Sequence, residues 1–303
     1  MTEIAVCFPL TDSQMQRLQA GTLGHTVKVL APGEPCDSPV VFGNPEPGVI
    51  AANASLRWLQ LESVGLGEYL GIDWSRPAGP VKVTNLASFF ANPAAQSALA
   101  GILALYRAID RLIILQTRAE WQGGAVRPHM RQLAGATVVL FGFGSINRRL
   151  AEMLAPFDCT ITPLASDWTE EALNHAISSA EIVVSTVPAM PLTEGIFDAA
   201  RFAAMPTGAI FCNFGRGSVV DEPALEAALR LGHLGGAVID VTREEPLPPR
   251  HPFWTCPNLL LTQHSGGGTF DEVERKIDYF LANLAHFHAG RPLTSLVDFS
   301  RGY

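Results

Sequence analysis

The stretch Val138-Val139-Leu140-Phe141-Gly142-Phe143-Gly144-Ser145-Ile146-Asn147 decides how this chain is read. Four apolar residues, a glycine-punctuated turn and the run Arg148-Arg149-Leu150-Ala151-Glu152-Met153-Leu154 read as strand, tight loop and helix. Ile146, Leu150, Met153 and Leu154 fall on one helical face, the face that lies back on a sheet. Gly142 can take the backbone angles a tight turn needs, and Gly144 lets the chain approach a ligand with no Cβ in the way. The helix start at Ser145 and Ile146 offers backbone N–H groups and a positive dipole end to a pyrophosphate. This is the dinucleotide fingerprint with one departure, because Asn147 stands where the third glycine usually sits. Two glycines one residue apart also occur in plain turns, so the rest of the chain decides the reading.

Working outward, 303 residues are enough for two domains, each with its own core. Hydrophobic residues make up 48% and charged residues 17%, an ordinary globular balance without disordered bulk. A net charge of −8 argues against nucleic acid or an anionic membrane as the main partner. The cysteines Cys7, Cys36, Cys159, Cys212 and Cys256 form no CxxC pair and read as reduced residues, several of them in apolar runs. No metal site is expected. The start Met1-Thr-Glu-Ile-Ala-Val-Cys-Phe lacks a basic segment followed by a long apolar one, so no signal peptide is expected. The most apolar long segment, Ala98 to Leu115, is interrupted by Arg107, Asp110 and Arg111, which argues against a membrane span. A cytoplasmic location is the expectation.

Short apolar runs alternate with helical segments, the pattern of parallel β/α layering. Ile4–Phe8, His25–Leu30, Val40–Phe42, Trp58–Leu61 and Val81–Val83 read as strands, with a helix over Asp12–Leu18 behind a Thr11 cap. Trp58–Leu61 leads into the loop Glu62-Ser63-Val64-Gly65-Leu66-Gly67, and a glycine-bearing loop past a parallel strand is a usual ligand position. Asn92-Pro93 opens a long helix running to about Arg118, near a domain boundary. Beyond the fingerprint, Cys159–Leu164, Ile182–Thr186, Ala209–Asn213, Ala237–Val241 and Asn258–Leu261 read as buried strands, with a helix over Glu222–Leu231. Thr269-Phe-Asp-Glu272 has the spacing of a capping box opening a last helix.

Ala165 stands where an acid would hold the adenosine ribose hydroxyls, followed by Ser166 and Asp167. Asp167, three residues before Glu170, reads as a helix cap. Three polar residues punctuate the ends of the late strands: Arg216, Glu245 and His264. The carboxyl ends of strands in an open parallel sheet face the ligand crevice, so the three can converge on one site.

The ordered run Asn213-x-x-Arg216-Gly217-Ser-Val-Val-Asp221, Gly236-Ala-Val-Ile-Asp240-Val, Glu245-Pro246-Leu-Pro and Thr262-Gln-His264 resembles the D-2-hydroxyacid dehydrogenase family. The likeness extends from about Leu56 to the C-terminus. Glu245-Pro-Leu-Pro-Pro249 and the ending Val297-Asp-Phe-Ser-Arg301-Gly302-Tyr303 are similar to its glyoxylate/hydroxypyruvate reductase branch. The resemblance implies an α/β protein in which a Rossmann-type nicotinamide-binding domain, residues 93–271, is inserted into a smaller flavodoxin-like substrate domain, residues 1–92 and 272–303. It implies a homodimer and a small 2-keto or 2-hydroxy acid as substrate. It makes Arg216, Glu245 and His264 the catalytic set. The backbone amides of Val64, Gly65 and Leu66 then hold the substrate carboxylate together with Arg216. Gly142, Gly144, Ser145, Ile146, Ala165, Ser166, Val187, Pro188 and Asp240 bind the cofactor, Asp240 by orienting the nicotinamide carboxamide. The chain departs from the family pattern at Asn147, at Gln263 (usually proline), at Gln96 (often glutamate) and at Gly67 (frequently aspartate).

The residue types suit the implied reduction. Arg216 can clamp carboxylate and carbonyl oxygens through its planar fork. Protonated His264 supplies the proton as hydride reaches the carbonyl carbon, and Glu245 beside it favours the imidazolium. NADP(H) is the expected cofactor and NAD(H) a possible one, since the missing acid at Ala165 removes the charge that repels a 2′-phosphate. Arg148 or Arg149 could supply the matching cation. Side-chain pockets for substrate are expected from loops around Trp58, Phe89 and Trp254. A competing class is a dinucleotide-sensing, corepressor-like binding protein of the same fold, against which stands the lack of a basic region or long disordered tail. Formate-type dehydrogenation needs no proton-donating histidine.

Overall fold

The computed structural model describes residues 2–22, 24–75 and 79–299, so Arg301, Gly302 and Tyr303 lie outside the described residues. The chain divides into two compact units, 1–89 with 269–303, and 90–268. These divisions fall a few residues ahead of the boundaries read from sequence.

The first unit begins with β1 (Glu3–Val6), α1 (Asp12–Gly21), β2 (Thr26–Val29), β3 (Val40–Phe42), α2 (Pro47–Ala52), β4 (Trp58–Gln60) and β5 (Lys82–Thr84). Its strands pair in parallel in the order β2-β1-β3-β4-β5, the flavodoxin-like order. Thr11 caps α1 through a complete capping box with Gln14.

The second unit starts with α3 (Ala91–Tyr106), α4 (Ile109–Thr117) and the single turn α5 (Gly123–Val126). The long helix expected over 92–118 is therefore two helices. Tyr106 O accepts from Arg131 N at 2.6 Å instead of continuing the helical ladder, and Ala108 turns left-handed at φ 51°. The Arg131 guanidinium also lies 4.3 Å from the Tyr106 ring centre. α3 sits close on the sheet because Gly101 has no side chain, and a Cβ there would stand 2.7 Å from Val238 Cγ1.

The nucleotide-type sheet follows as β6 (Thr137–Phe141), α6 (Ser145–Leu154), β7 (Thr160–Leu164), α7 (Glu170–Ile177), β8 (Ile182–Ser185), α8 (Ala199–Ala204), β9 (Ile210–Asn213), α9 (Glu222–Arg230), β10 (Gly236–Ile239) and β11 (Leu259–Leu261). All pairings are parallel, in the order β11-β10-β9-β8-β6-β7. The order reverses between β6 and β8, and such a switch point opens a crevice at the strands' carboxyl ends. Its central strands are apolar on both faces, as a sheet covered by helices requires. Leu150 and Leu154 of α6 are buried against it, with Ile146 and Met153 packed beside them.

The chain returns to the first unit with α10 (Glu272–His288). Phe280 of this helix stacks on Phe42 and Trp58, with ring centres 4.4 and 5.1 Å apart, fixing the helix on the flavodoxin-like sheet.

Three local expectations are corrected. Asp167 caps nothing: Thr169 caps α7 by accepting from Ala172 N, being the residue next to the helix. The box at Thr269 and Glu272 does not form, because α10 starts behind Asp271 and Glu272 pairs with Lys276 at 2.7 Å. The Trp58 side chain does not reach solvent. It is fully buried, with its indole Nε1 donating to Thr84 Oγ1 at 2.9 Å.

Candidate active site

The switch point brings the fingerprint and the end of β8 together. Register pairs Phe141 with Ser185, which brings Gly142 level with Thr186 and against Val187. Gly142 has φ 83°, and a Cβ on it would lie 3.0 Å from Val187 N. Both the angle and the approach require glycine. Thr186 Oγ1 donates to Gly142 O at 2.7 Å and pins the turn to the neighbouring strand end. Gly144 is the opposite case, since a Cβ there would meet nothing within 4 Å. Open space in front of a helix start is where a pyrophosphate can reach the first amides of α6, which have no acceptor within the helix. These residues fit a dinucleotide.

Asn147 has a role that glycine spacing could not reveal. It is fully buried, and Nδ2 donates to Phe141 O, Gly142 O and Val184 O at 3.1, 3.2 and 3.3 Å. The side chain ties α6 to β6 and β8 at the point where a glycine would merely allow close packing. Facing three carbonyls also fixes the orientation of the amide.

Past β9, β10 and β11 stand the three candidate catalytic residues. Arg216 follows β9 in extended conformation, half-buried, with Nη1 donating to Gly215 O at 2.7 Å. Asn213 shapes its turn, accepting from Gly215 N and donating to Arg216 O. Gly217 follows because a Cβ there would overlap the Thr242 backbone, which brings the residues after β9 against those after β10. Glu245 accepts from Thr242 N at 3.0 Å through Oε1 and meets His264 Nδ1 at 2.7 Å through Oε2. His264 is held in turn by its own N–H, which donates to Asp240 O at 2.6 Å.

With Nδ1–H donating to a carboxylate, His264 presents Nε2 outward, where it has no partner among the described residues. Glu245 thus orients the ring and places negative charge beside it. The loop is also unusual in its backbone. Gln263 and His264 both lie in the left-handed region, at φ 51° and 54°.

Asp240 is buried at 7% exposure, and its Oδ1 accepts from Thr262 Oγ1 at 2.5 Å and Gly266 N at 2.9 Å. Gly266 is a glycine because a Cβ would press on this carboxylate and on the Phe214 ring. Thr242 is a supporting residue that the sequence reading passed over, and Asn213 and Thr262, quoted there only within the motif run, have supporting roles that it did not assign. Asn213 ends β9, Thr262 directly follows β11 and Thr242 lies shortly past β10, so a polar residue at a strand end was the available signal.

The other predicted positions fall in loops of the two units. Ala165 and Ser166 follow β7, in a turn closed by Trp168 N donating to Ala165 O. Pro188 O accepts from Thr193 Oγ1 at 2.7 Å, fixing the loop that follows Val187. Val64, Gly65 and Leu66 belong to the first unit, in the loop after β4. There Asn85 Nδ2 donates to Val64 O at 3.0 Å, Leu86 N donates to Ser63 O at 3.0 Å, and Leu66 is buried. Gly65 is exposed. Phe89 is nearly buried, whereas Trp254 is 44% exposed. No helix among the described residues is long and apolar enough to cross a membrane.

Comparison with known proteins gives this geometry a family. The family model described as "D-isomer specific 2-hydroxyacid dehydrogenase, NAD binding domain" matches residues 99–266. Glyoxylate/hydroxypyruvate reductase A of Yersinia enterocolitica is 32% identical over 215 residues, covering 68% of this chain and 67% of that protein. Hydroxyphenylpyruvate reductase of Plectranthus scutellarioides is 31% identical over 224 residues, covering 72% and 71%. Among solved structures, a D-isomer specific 2-hydroxyacid dehydrogenase from Xanthobacter autotrophicus Py2, in complex with NADPH and MES, superposes over 100% of both chains. Its TM-score is 0.82 and its identity 28%. The chain belongs to the D-isomer specific 2-hydroxyacid dehydrogenase family, and is an NAD(P)-dependent oxidoreductase with a Rossmann domain set into a flavodoxin-like one.

Proposed function

We propose that this protein reduces small 2-keto acids of the glyoxylate and hydroxypyruvate type to D-2-hydroxy acids, with NADPH favoured over NADH. The observation that carries the reading is the His264 Nδ1–Glu245 Oε2 pair at 2.7 Å, which leaves Nε2 outward as a proton donor. The relative from Yersinia enterocolitica supports the substrate class, and the absence of an acid at Ala165 supports the phosphorylated cofactor.

In this reading the bound cofactor supplies hydride to the carbonyl carbon. Arg216 clamps the carbonyl and carboxylate oxygens of the substrate through its planar fork. His264 Nε2 donates its proton to the developing alkoxide, while Glu245 holds the ring and balances the imidazolium charge. Asp240 orients the nicotinamide carboxamide. Gly142, Gly144, Ser145, Ile146, Val187 and Pro188 cradle the pyrophosphate and ribose, and Ala165 and Ser166 receive the adenosine end.

The proposal includes a homodimer. α4 buries none of its residues within the chain and exposes Ile109, Ile113 and Ile114, with a fully exposed Trp121 just beyond. An apolar face of this kind supports association. Light scattering of the purified protein should give twice the chain mass, and Ile113→Glu should shift it toward monomer.

The deciding experiment is a panel of 2-keto acids, including glyoxylate, hydroxypyruvate and an aromatic pyruvate, each assayed with NADH and NADPH. Highest kcat/KM on the small acids with NADPH is expected. Preference for the aromatic acid would overturn the substrate class, and binding of cofactor without turnover of any acid would leave only the dinucleotide-sensing role.

A further inference from the structure

Arg148 and Arg149 stand side by side at the start of α6, yet their side chains are engaged differently. Arg149 is held by two side chains: Nη1 pairs with Glu152 Oε2 at 2.6 Å and Nε donates to Asn92 Oδ1 at 2.8 Å. Arg148 pairs with no carboxylate among the described residues. Its Nε donates to Phe143 O at 3.1 Å, and its guanidinium carbon lies 5.0 Å from the centre of the Phe143 ring. The guanidinium is thereby fixed at one nitrogen and one face. Its two η-amino groups have no partner among the described residues.

The anchor is itself attached to the end of β7. Gly142 N and Phe143 N both donate to Leu164 O, at 2.9 and 3.1 Å. Leu164 is the last residue of β7, and the turn Ala165-Ser166-Asp167-Trp168 follows at once. Ser166 and Asp167 are exposed in that turn, and no ion pair joins Asp167 to Arg148. Lys and Arg are absent between Cys159 and Leu192, so the turn supplies no cation of its own.

We infer that Arg148, with the Ser166 hydroxyl, forms a subsite for a phosphate monoester on the adenosine ribose. The cation that selects NADPH then comes from the fingerprint helix rather than from the turn after the second strand. This deepens the cofactor preference proposed above and rests on it. A guanidinium held at Nε presents its remaining N–H groups as a fork, which matches two oxygens of a phosphate. Ser166 adds a neutral donor, and Ala165 leaves the ribose edge without a repelling carboxylate.

Dissociation constants for NADPH, NADH, adenosine 2′,5′-bisphosphate and 5′-AMP, measured by calorimetry at fixed ionic strength, test the assignment without turnover. Wild type, Arg148→Gln and Arg149→Gln are compared, with thermal melts to show that each variant is folded. Arg148→Gln should weaken NADPH and the bisphosphate on the order of 10- to 100-fold, the range for a lost charge-assisted hydrogen bond. NADH and 5′-AMP should change little in that variant. Arg149→Gln should keep the wild-type ratio. A wild type that favours NADPH together with an Arg148→Gln variant of unchanged ratio overturns the arginine assignment alone. A wild type that binds NADH at least as tightly as NADPH overturns the cofactor preference itself.

Discussion

Asn147 and Val184 are joined across the switch point, the Asn147 amide donating to the Val184 carbonyl at 3.3 Å while the same nitrogen reaches Phe141 O and Gly142 O. Where the fingerprint usually has a third glycine, this chain uses a buried amide to bind helix to sheet. Replacing it by glycine restores the family pattern but leaves the carbonyls of Phe141, Gly142 and Val184 without this donor and puts glycine inside a helix. Asn147→Gly should therefore destabilise the protein by roughly 2–4 kcal/mol, combining a lost buried donor with the helix penalty. Asn147→Asp should be worse, since a carboxylate would face the same carbonyls. Urea denaturation measures both, and an Asn147→Gly protein as stable as wild type would show the amide to be dispensable.

The candidate catalytic residues should separate by role. His264→Ala should lower kcat by about 10²- to 10⁴-fold, the range for a lost general acid. Arg216→Lys should damage KM and kcat together, because an ammonium cannot make the fork. Steady-state kinetics on the best 2-keto acid reads both effects.

Glu245 lies against His264 Nδ1 at 2.7 Å, so its carboxylate takes the Nδ1–H and fixes which ring nitrogen faces outward. The amide of Glu245→Gln can meet Nδ1 through either its oxygen or its nitrogen and no longer dictates that tautomer. Glu245→Gln should therefore lower kcat while leaving cofactor affinity unchanged. A variant with wild-type kcat would show that the carboxylate does not orient the ring.

Gln263 at φ 51° precedes His264 at φ 54°, and proline cannot adopt that angle because its ring holds φ near about −65°. Gln263→Pro, although it restores the usual family residue, should disturb the His264 N–H bond to Asp240 O. Activity should fall on the order of 10²-fold, as for a misplaced catalytic group. Gln263→Gly, which accepts the angle without strain, should retain it. Full activity in the proline variant would refute this account of the loop.

Burial pushes the Cys7 thiol up to about 12, with Cys36 and Glu62 adding to the effect, and raises Cys212 further. A raised thiol value means less thiolate, so both groups stay neutral and unreactive well above pH 7. Iodoacetamide at pH 8 should leave Cys7 and Cys212 of the native protein unmodified and label them after denaturation. Mass spectrometry of the digested protein distinguishes the two states, and rapid native labelling of Cys212 would contradict its place in β9.

What the sequence determined by itself was periodic or punctuated. The buried strands, the Gly142-Phe143-Gly144 turn and the apolar face of α6 were legible because a parallel sheet demands apolar runs and a tight turn demands glycine. The strand-end positions of Arg216, Glu245 and His264 were legible from their spacing alone. The tertiary structure decided whatever depends on a partner distant in the chain. The helix break after Tyr106 follows from Arg131, and the burial of Trp58 under Phe280 follows from a helix over two hundred residues later. The capping of α7 by Thr169 rather than Asp167, and the left-handed turn at Gln263, hang on backbone angles that residue type permits without dictating. Likewise Arg148 and Arg149 are identical in composition and adjacent in sequence. Only the positions of Glu152, Asn92 and the Phe143 ring leave the first arginine available and commit the second.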